Sequence, residues 1–529
     1  MKKLTLMLII LVIVIVTIPA YGLQNQDNSE SFKIETFIEL PSNFSWRDIG
    51  GVDFTTPIRN QAPFPSCETF AIVAAIETMV QYKVGYPFGC DLSEAHLYFF
   101  SGGNTNWGSY PENDTQFLKD YGVPDEACWP YPIDNYQYPL NNTSPDWQNR
   151  TVKITDWYYL PEDPTAIKTA LVTNGPVPTY FQIYKDFIYH KNGIYRHRWG
   201  EVFGIHYITI VGYNDNPGYW ICKNSWGTKY QDEGWFNIGY GECSIEKKSF
   251  YLTGLYGQFP IIYVDDDNKF GPWDGSLEYP YSNIQQGVDN AFEGWTVFVK
   301  NGLYNENIII NKTINLDGEN RDSTIIDGEG FGHIITISAP NVRVSGFTIQ
   351  NSGTNPFDAG IKTLSLNSNV TINNNIIQNN EIGVFLNYAY DQSWNIVSDN
   401  IIQYNNDGLY IHWANNNEIS DNIIKFNRDD GIEIESSRNT IITGNIIQEN
   451  SKYGLYLRAA SHRNIIKHND FIDNEYHVYF DGSLFNRWLR NYWSNSLWFI
   501  IKPIKGQLDI FDIPWINLEL FPSLKENHL

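Results

Sequence analysis

The chain has 529 residues, of which 42% are hydrophobic and 16% aromatic, and carries a formal net charge of −24. That length exceeds one ordinary core and predicts two or more domains, while so much apolar material excludes a disordered chain, which lacks the surface to offset its ordering entropy. The acid excess argues against nucleic acid as a partner, because binding a phosphate backbone requires clustered Lys and Arg.

The N-terminus reads MKKLTLMLIILVIVIVTIPAYG: Lys2 and Lys3, an apolar run from Leu6 to Val16, then small residues at Ala20 and Gly22. This order predicts a signal peptide over 1–22 and a short linker over 23–39. The alternative is an uncleaved anchor, and the run is short against the about 20 apolar residues that span a bilayer. Either way the body is exported, secreted or held at the cell surface, and a membrane is a partner only if the segment is retained. Sequons at Asn43, Asn113, Asn142, Asn149, Asn311 and Asn369 permit glycosylation where the host performs it.

From about 40 to 255 the pattern is mixed α+β. Cys67 precedes an apolar run that predicts a helix to about Lys83, with the sulfur at its N-terminus, where unpaired amides favour negative charge. Strands are predicted at Tyr207–Tyr213, Trp220–Lys223 and Trp235–Tyr240. His206 opens the first of these and Asn224 follows the second, at roughly 140 and 160 residues from Cys67, in or near the range in which a nucleophilic cysteine meets partners brought in by the fold. A thiol with a pKa near 8.5 needs such help: His206 would take and return its proton, Asn224 would fix the ring, and Gln61 would place an amide beside the Cys67 backbone N–H for the oxyanion. Five cysteines in an exported chain leave one over. With Cys67 odd, the four others allow three pairings, of which the short-range one joins Cys90 to Cys128 and Cys222 to Cys243.

Residues 40–250 resemble the papain family of cysteine peptidases. The resemblance rests on LPSNFSWRDIGGVDFTTPIRNQ, on LSEAHLYFF and the pair Gly102 and Gly103, on GVPDEACWPY, and most specifically on KNSWGTKYQDEGWFNI. It implies a papain-like α+β fold, protein or peptide substrates, Cys67 as nucleophile, His206 as acid and base, Asn224 as orienter and Gln61 in the oxyanion hole. It further implies that Gly102 and Gly103 line the substrate cleft and that Trp226 shields the Asn and His pair. No metal or other cofactor is expected. The chain departs from the family pattern at Phe64, which removes one partner of a common disulfide, and at Glu68, which stands where the family has Trp; a carboxylate pointing inward there raises the Cys67 pKa. The stretch before Leu40 is too short for the family's inhibitory propeptide.

After about residue 261 the text becomes repetitive. NNIIQNNEIGVFL, DNIIQYNNDGLYI, DNIIKFNRDDGIEI and GNIIQENSKYGLYL recur with a spacing of about 22–25 residues, and asparagines fall at Asn375, Asn400, Asn422, Asn445 and Asn469. Short β-branched runs suit strands over helices, which predicts an all-β right-handed parallel β-helix over 261–482 with Asn ladders, with Gly383, Gly408, Gly431 and Gly454 at corners of unusual dihedral. Eight or nine coils make a rod of roughly 40 Å. The tail 483–529, with Trp488, Trp493, Trp498 and Trp515, is expected to cap the open end. This half resembles the carbohydrate-binding and sugar-hydrolase type of β-helix, including periplasmic copper-binding maturation proteins. The resemblance implies binding of cell-surface or extracellular polysaccharide, with Tyr388, Tyr410 and Trp413 as stacking candidates. Asp407, Asp429, Asp430 and Glu433 are candidates for glycosidic cleavage, weighed against plain turn chemistry. His412, His462, His468 and His477 lack a short ligand spacing.

Overall fold

The computed structural model describes residues 39–104, 108–132, 147–364, 369–387, 394–494, 501–508, 513–520, 522–523 and 525–527. The expected signal segment, Asn142, Tyr388, Trp498 and the side chain of Trp515 lie outside the described residues.

The first domain contains three helices that matter for the site, α1 (Cys67–Val84), α2 (Glu94–Phe100) and α3 (Pro111–Asp120). Its strands are β1 (Asn43–Ser45), β2 (Val152–Tyr159), β3 (Val177–Tyr184), β4 (Ile194–Tyr195), β5 (Val202–Asn214), β6 (Tyr219–Lys223), β7 (Trp235–Gly239) and β8 (Phe250–Gly257). One sheet runs β1-β5-β6-β7-β4 with β3 also on β5, and β2 pairs separately with β8. Helix α1 ends at Gly85, whose left-handed φ of 74° lets its amide reach the Gln81 and Tyr82 carbonyls. Ile72, Val73, Ala75, Ile76 and Val80 of α1 are all fully buried. They pack with Leu92, Leu97, Leu118, Phe250 and Leu252. A second core, around Leu171, Phe181, Phe187, Trp220 and Phe236, fills the other face of the sheet.

The second half is a parallel β-solenoid. Strand Ile261–Val264 pairs in parallel with Thr296–Val299 at the start of one stack, and a separate nine-stranded parallel sheet runs from Gly302–Asn305 to Tyr492–Trp493. One column of that sheet, Ile349, Ile377, Ile402, Ile424, Ile447 and Phe471, has no exposed surface. Each such residue gains about 1.5–3 kcal/mol by leaving water. Beside this column the asparagines form two ladders. In one, Nδ2 of Asn375, Asn400, Asn422, Asn445 and Asn469 donates to Oδ1 of the next rung at 2.9–3.1 Å. In the other, Asn380, Asn405, Asn427, Asn450 and Asn474 repeat the pattern.

Two expectations change. Gly383, Gly408, Gly431 and Gly454 are not the positions of left-handed dihedral; those fall at corner residues such as Asn374, Asn379, Asp421 and Glu449. The glycines are required by contact between coils: a Cβ on Gly383 or Gly408 would sit 2.5 Å from the carbonyl oxygen of the glycine one coil on. The tail also keeps the repeat for one more coil, since Arg487–Leu489 and Tyr492–Trp493 pair in parallel with the strands below, and Trp488 and Trp493 are buried. What closes the end is the antiparallel hairpin Ile501–Leu508 and Ile513–Leu520. Its buried Glu519 accepts from the Asn491 amide at 2.7 Å and from Trp493 Nε1 at 2.7 Å, so a carboxylate takes the place of the next ladder rung.

Pro41–Leu529 forms one compact unit. Ile261, Tyr263 and Phe298 of the first coils belong to the same core as α1, and Tyr86 packs on Phe298 with ring centroids 4.4 Å apart. The buried pair Arg150 and Asp125 is bidentate, at 2.8 and 2.6 Å. Asp125 also accepts from Trp295 Nε1, and Arg150 donates to the Glu293 carbonyl.

Two outcomes follow from this packing. Asn422→Ala strands the Asn400 backbone amide and removes one of the two bonds of its Nδ2, which keeps the Ile372 carbonyl; a buried donor left unpaired costs about 1–3 kcal/mol. The urea midpoint of this variant falls by the equivalent of about 2 kcal/mol or more, whereas the exposed Arg428→Ala stays within about 0.5 kcal/mol. A chain ending at Gln258 loses three residues of the α1 core, and is expected to bind a hydrophobic dye and to lose the sharp thermal transition of the full chain.

Candidate active site

Cys67 is the first residue of α1 and is half-buried. The loop before it is fixed from two sides. The Gln61 amide donates to the Ser225 carbonyl at 2.8 Å, and Ser225 Oγ donates to Gln61 Oε1 at 2.7 Å. Tyr131 then donates its hydroxyl to the Gln61 carbonyl at 2.6 Å and lies 2.7 Å from Ser66 Oγ. The segment carrying Asn60 and Gln61 is thus joined to the loop after β6 that carries Asn224 and Trp226. Gln61 Nε2 is left with one long contact, 3.4 Å to the Phe64 carbonyl.

His206 lies on β5, buried, with Nε2 2.8 Å from Asn224 Oδ1. Asn224 Oδ1 also accepts from the Ser225 amide, and its Nδ2 donates to Gln231 Oε1 at 3.0 Å, which fixes which amide atom faces the ring. Nε2 therefore carries the hydrogen, and Nδ1 of the neutral imidazole holds the lone pair. Trp226 lies on the ring, centroids 4.6 Å apart and 30° from parallel, and Phe181 meets its edge. The next residue on the strand, Tyr207, directs its backbone amide to the Cys67 sulfur. The Cys67 sulfur thereby lies beside the strand that carries His206.

The electrostatics of the pair are those of a dry site. Burial, then the Glu68 charge, pushes the Cys67 thiol well above its ordinary value. Burial lowers His206 to about 4, with the Asn224 bond opposing. Glu68 points inward, and the Cys67 thiol donates to its Oε2 at 3.4 Å. Gly102 and Gly103 follow α2; Gly102 has φ +104°, and a Cβ on Gly103 would meet the Tyr98 carbonyl at 2.5 Å. Tyr131, Tyr207 and Gln231 carry no sequence signal of their own, because each acts through a backbone group or an amide that only the fold presents.

The expected disulfides do not form: Cys90, Cys128, Cys222 and Cys243 are all thiols and all buried. Cys90 packs in the α1 core, whereas Cys222 and Cys243 lie in the core across the sheet. Cys243 meets the Tyr195 hydroxyl. Each behaves as a small apolar residue. In the solenoid, Tyr410 is 6% exposed, stacked on Phe385 at 4.9 Å and bound through its hydroxyl to Glu435, so its ring face is not free for a sugar. Trp413 remains half exposed. Carboxylate oxygens of Asp407, Asp430 and Glu433 lie within 4.8 Å of one another. Burial raises these groups to about 6, 8 and 7. Asp429 instead pairs with Lys452 at 2.8 Å.

A buried helix bearing a cysteine at its N-terminus, crossed by a strand bearing a His that is bonded to an Asn on the loop after the neighbouring strand, defines the papain-like class of thiol hydrolase fold. The family model "Papain family cysteine protease" matches residues 40–253, and that of "Periplasmic copper-binding protein (NosD)" matches residues 288–499. Among curated proteins, Cathepsin B-like CP3 of Giardia intestinalis is 30% identical over 210 residues, covering 35% of this chain and 64% of its own length. Cathepsin B-like CP2 of the same organism is 31% identical over 202 residues, with the same coverage. The chain thus spans under two thirds of these two relatives. The bromelain protease of Ananas comosus shares 26% identity, covering 40% of this chain and 99% of its own, with a TM-score of 0.35. The chain carries a papain-family domain followed by a NosD-type parallel β-solenoid.

Among its described residues this solenoid offers no donor set suited to the copper named for the second family. Among the described residues the convergent donor set is Asp407, Asp430 and Glu433, all oxygen, whereas copper is held by imidazole, thiolate or thioether. His412 is engaged with Asn387 Oδ1 at 3.2 Å, and the His462 ring nitrogen accepts from the Leu484 amide at 2.9 Å.

Brief alkylation of the native full chain is expected to modify Cys67 alone, because Cys90 and Cys222 are at most 1% exposed and Cys128 and Cys243 at most 8%. Peptide mapping checks this, and five modified positions are expected only after unfolding.

Proposed function

We propose that the chain is an exported cysteine endopeptidase. The observation that carries this reading is the Nε2 bond from His206 to Asn224 at 2.8 Å, on a strand whose next amide meets the Cys67 sulfur. Cys67 Sγ attacks the peptide carbonyl carbon and its proton passes to His206 Nδ1. The oxyanion is met by the Cys67 amide and Gln61 Nε2, which its neighbours leave with one long contact. Collapse expels the amine, which takes the proton from the imidazolium and leaves a thioester. His206 then takes a proton from water as the water attacks the thioester, and returns it to the sulfur. Asn224 holds the ring without adding charge, Trp226 keeps water from that bond, and Gly102 and Gly103 offer backbone to the extended substrate. Burial disfavours both ions at rest, so the nucleophile is made as it attacks, with His206 as base.

For the solenoid we propose binding to cell-surface or extracellular polysaccharide, supported by exposed Trp394, Trp413 and Tyr476. A polysaccharide-cleaving alternative is supported by the convergence of Asp407, Asp430 and Glu433. Product release from uronate or neutral polymers by the Cys67→Ala chain would favour that alternative over binding alone.

Casein cleavage by the reduced full chain is expected to be abolished by Cys67→Ala and cut about 10²–10⁴-fold by His206→Ala. An epoxide directed at thiolates is expected to block activity and label Cys67. Cleavage that persists in Cys67→Ala refutes the peptidase reading.

A further inference from the structure

The residue beside the nucleophile is a carboxylate that contacts the reacting sulfur. Successive helix positions diverge by about 100°, so Glu68 reaches Sγ only because its side chain folds back across the first turn of α1. It does so into a site walled by other elements. Tyr98 on α2, Asp114 on α3 and Tyr207 on β5 lie near enough for the Glu68 charge to raise each of them, and His206 is the residue before Tyr207 on β5. Asp114 is itself held by the hydroxyls of Ser101 and Ser109, and Glu112 by Tyr159. A Cβ on Gly108 would lie 3.7 Å from both Glu68 oxygens, so the backbone closes the remaining side. The titratable groups around Glu68 are thus acidic, phenolic or the thiol itself, while His206, on the same strand as Tyr207, is bonded to Asn224.

We propose that Glu68 is a further catalytic residue: its carboxyl hydrogen-bonds the Cys67 sulfur and, by its own protonation, sets the pH range in which the thiolate forms. This rests on the reading of Cys67 as nucleophile. With the carboxyl neutral, its O–H donates to the sulfur, and a hydrogen bond to the charged form favours that form. With the carboxyl ionised, it accepts from the thiol, and its charge opposes a second negative charge 3.4 Å away. In both states the Sγ proton goes to His206 Nδ1, while Glu68 exchanges its own proton with solvent, so the step consumes nothing. Burial lifts Glu68 to about 7, which places the change near neutrality. The sign follows: reactivity is present below that pH and is lost as pH rises through it.

The test is the rate of Cys67 alkylation by iodoacetamide, a neutral probe, in the reduced full chain from pH 4.5 to 9, read by peptide mapping. The native chain is expected to lose rate through about pH 7, by about tenfold for each pK unit that Glu68 imposes on the thiol. Glu68→Gln, of nearly the same volume, keeps its acid-side rate to pH 8, about tenfold or more above the native chain at that pH. Glu68→Asp, which retains the charge on a shorter arm, restores part of the loss and serves if the Gln variant does not fold. A Glu68→Gln profile superimposed on the native one, or for the Asp variant one with no displaced fall, overturns the proposal while leaving the nucleophile intact. Absence of Cys67 labelling in every form at every pH overturns the nucleophile reading and this proposal with it.

Discussion

The burial of α1 is the constraint on which the rest of the structure depends. The helix is apolar on nearly every side, so it must be enclosed by other elements and not merely laid on a surface. Its middle packs under α2, α3 and β8, Thr209 of β5 donates to its Ala71 carbonyl, and its C-terminal end meets the first coils of the solenoid through Tyr86 and Phe298. Enclosure fixes its axis, and a fixed axis fixes where Cys67 stands. The same packing that excludes water from Ile72 and Ile76 lays β5, the strand that carries His206, along the helix.

That enclosure has an electrostatic cost. A thiolate and an imidazolium are both disfavoured in a dry seam, and the helix N-terminus and the Tyr207 amide act against that penalty with fixed dipoles. Asn224 is the partner such a site can hold, since it orients the ring without burying another charge. Glu68 runs the other way, adding a carboxylate where dipoles alone would favour the anion.

The solenoid solves a different problem, that of a narrow core to which each coil adds only a few side chains. Each coil buries several aliphatic side chains between its neighbours and must also satisfy the amides at its corners, and the asparagine ladders do this with side chains that donate upward and accept from below. Such a ladder has ends. At the C-terminal end Glu519 supplies the acceptor that another asparagine would have given. At the other end the first coils are covered by the peptidase-side core, with Asp125 and Arg150 satisfying Trp295 and the Glu293 carbonyl. The two halves therefore share a boundary that neither could leave exposed.

The sequence by itself determined the two architectures, because a run of buried positions at helical spacing and a repeat near 23 residues each admit few packings. It also determined the candidate set Gln61, Cys67, His206 and Asn224, each inside a string with its own local shape. The tertiary structure decided what depends on distance between remote segments. Four cysteines that parity paired are separate buried thiols, Tyr410 is covered by Phe385 and bound to Glu435, and the glycine column answers to contact between coils in place of dihedral strain. The direction of Glu68 belongs to the same group: a helix position leaves its side chain several rotamers, and only the folded site, with Gly108 close to its oxygens, decides the one that meets the sulfur.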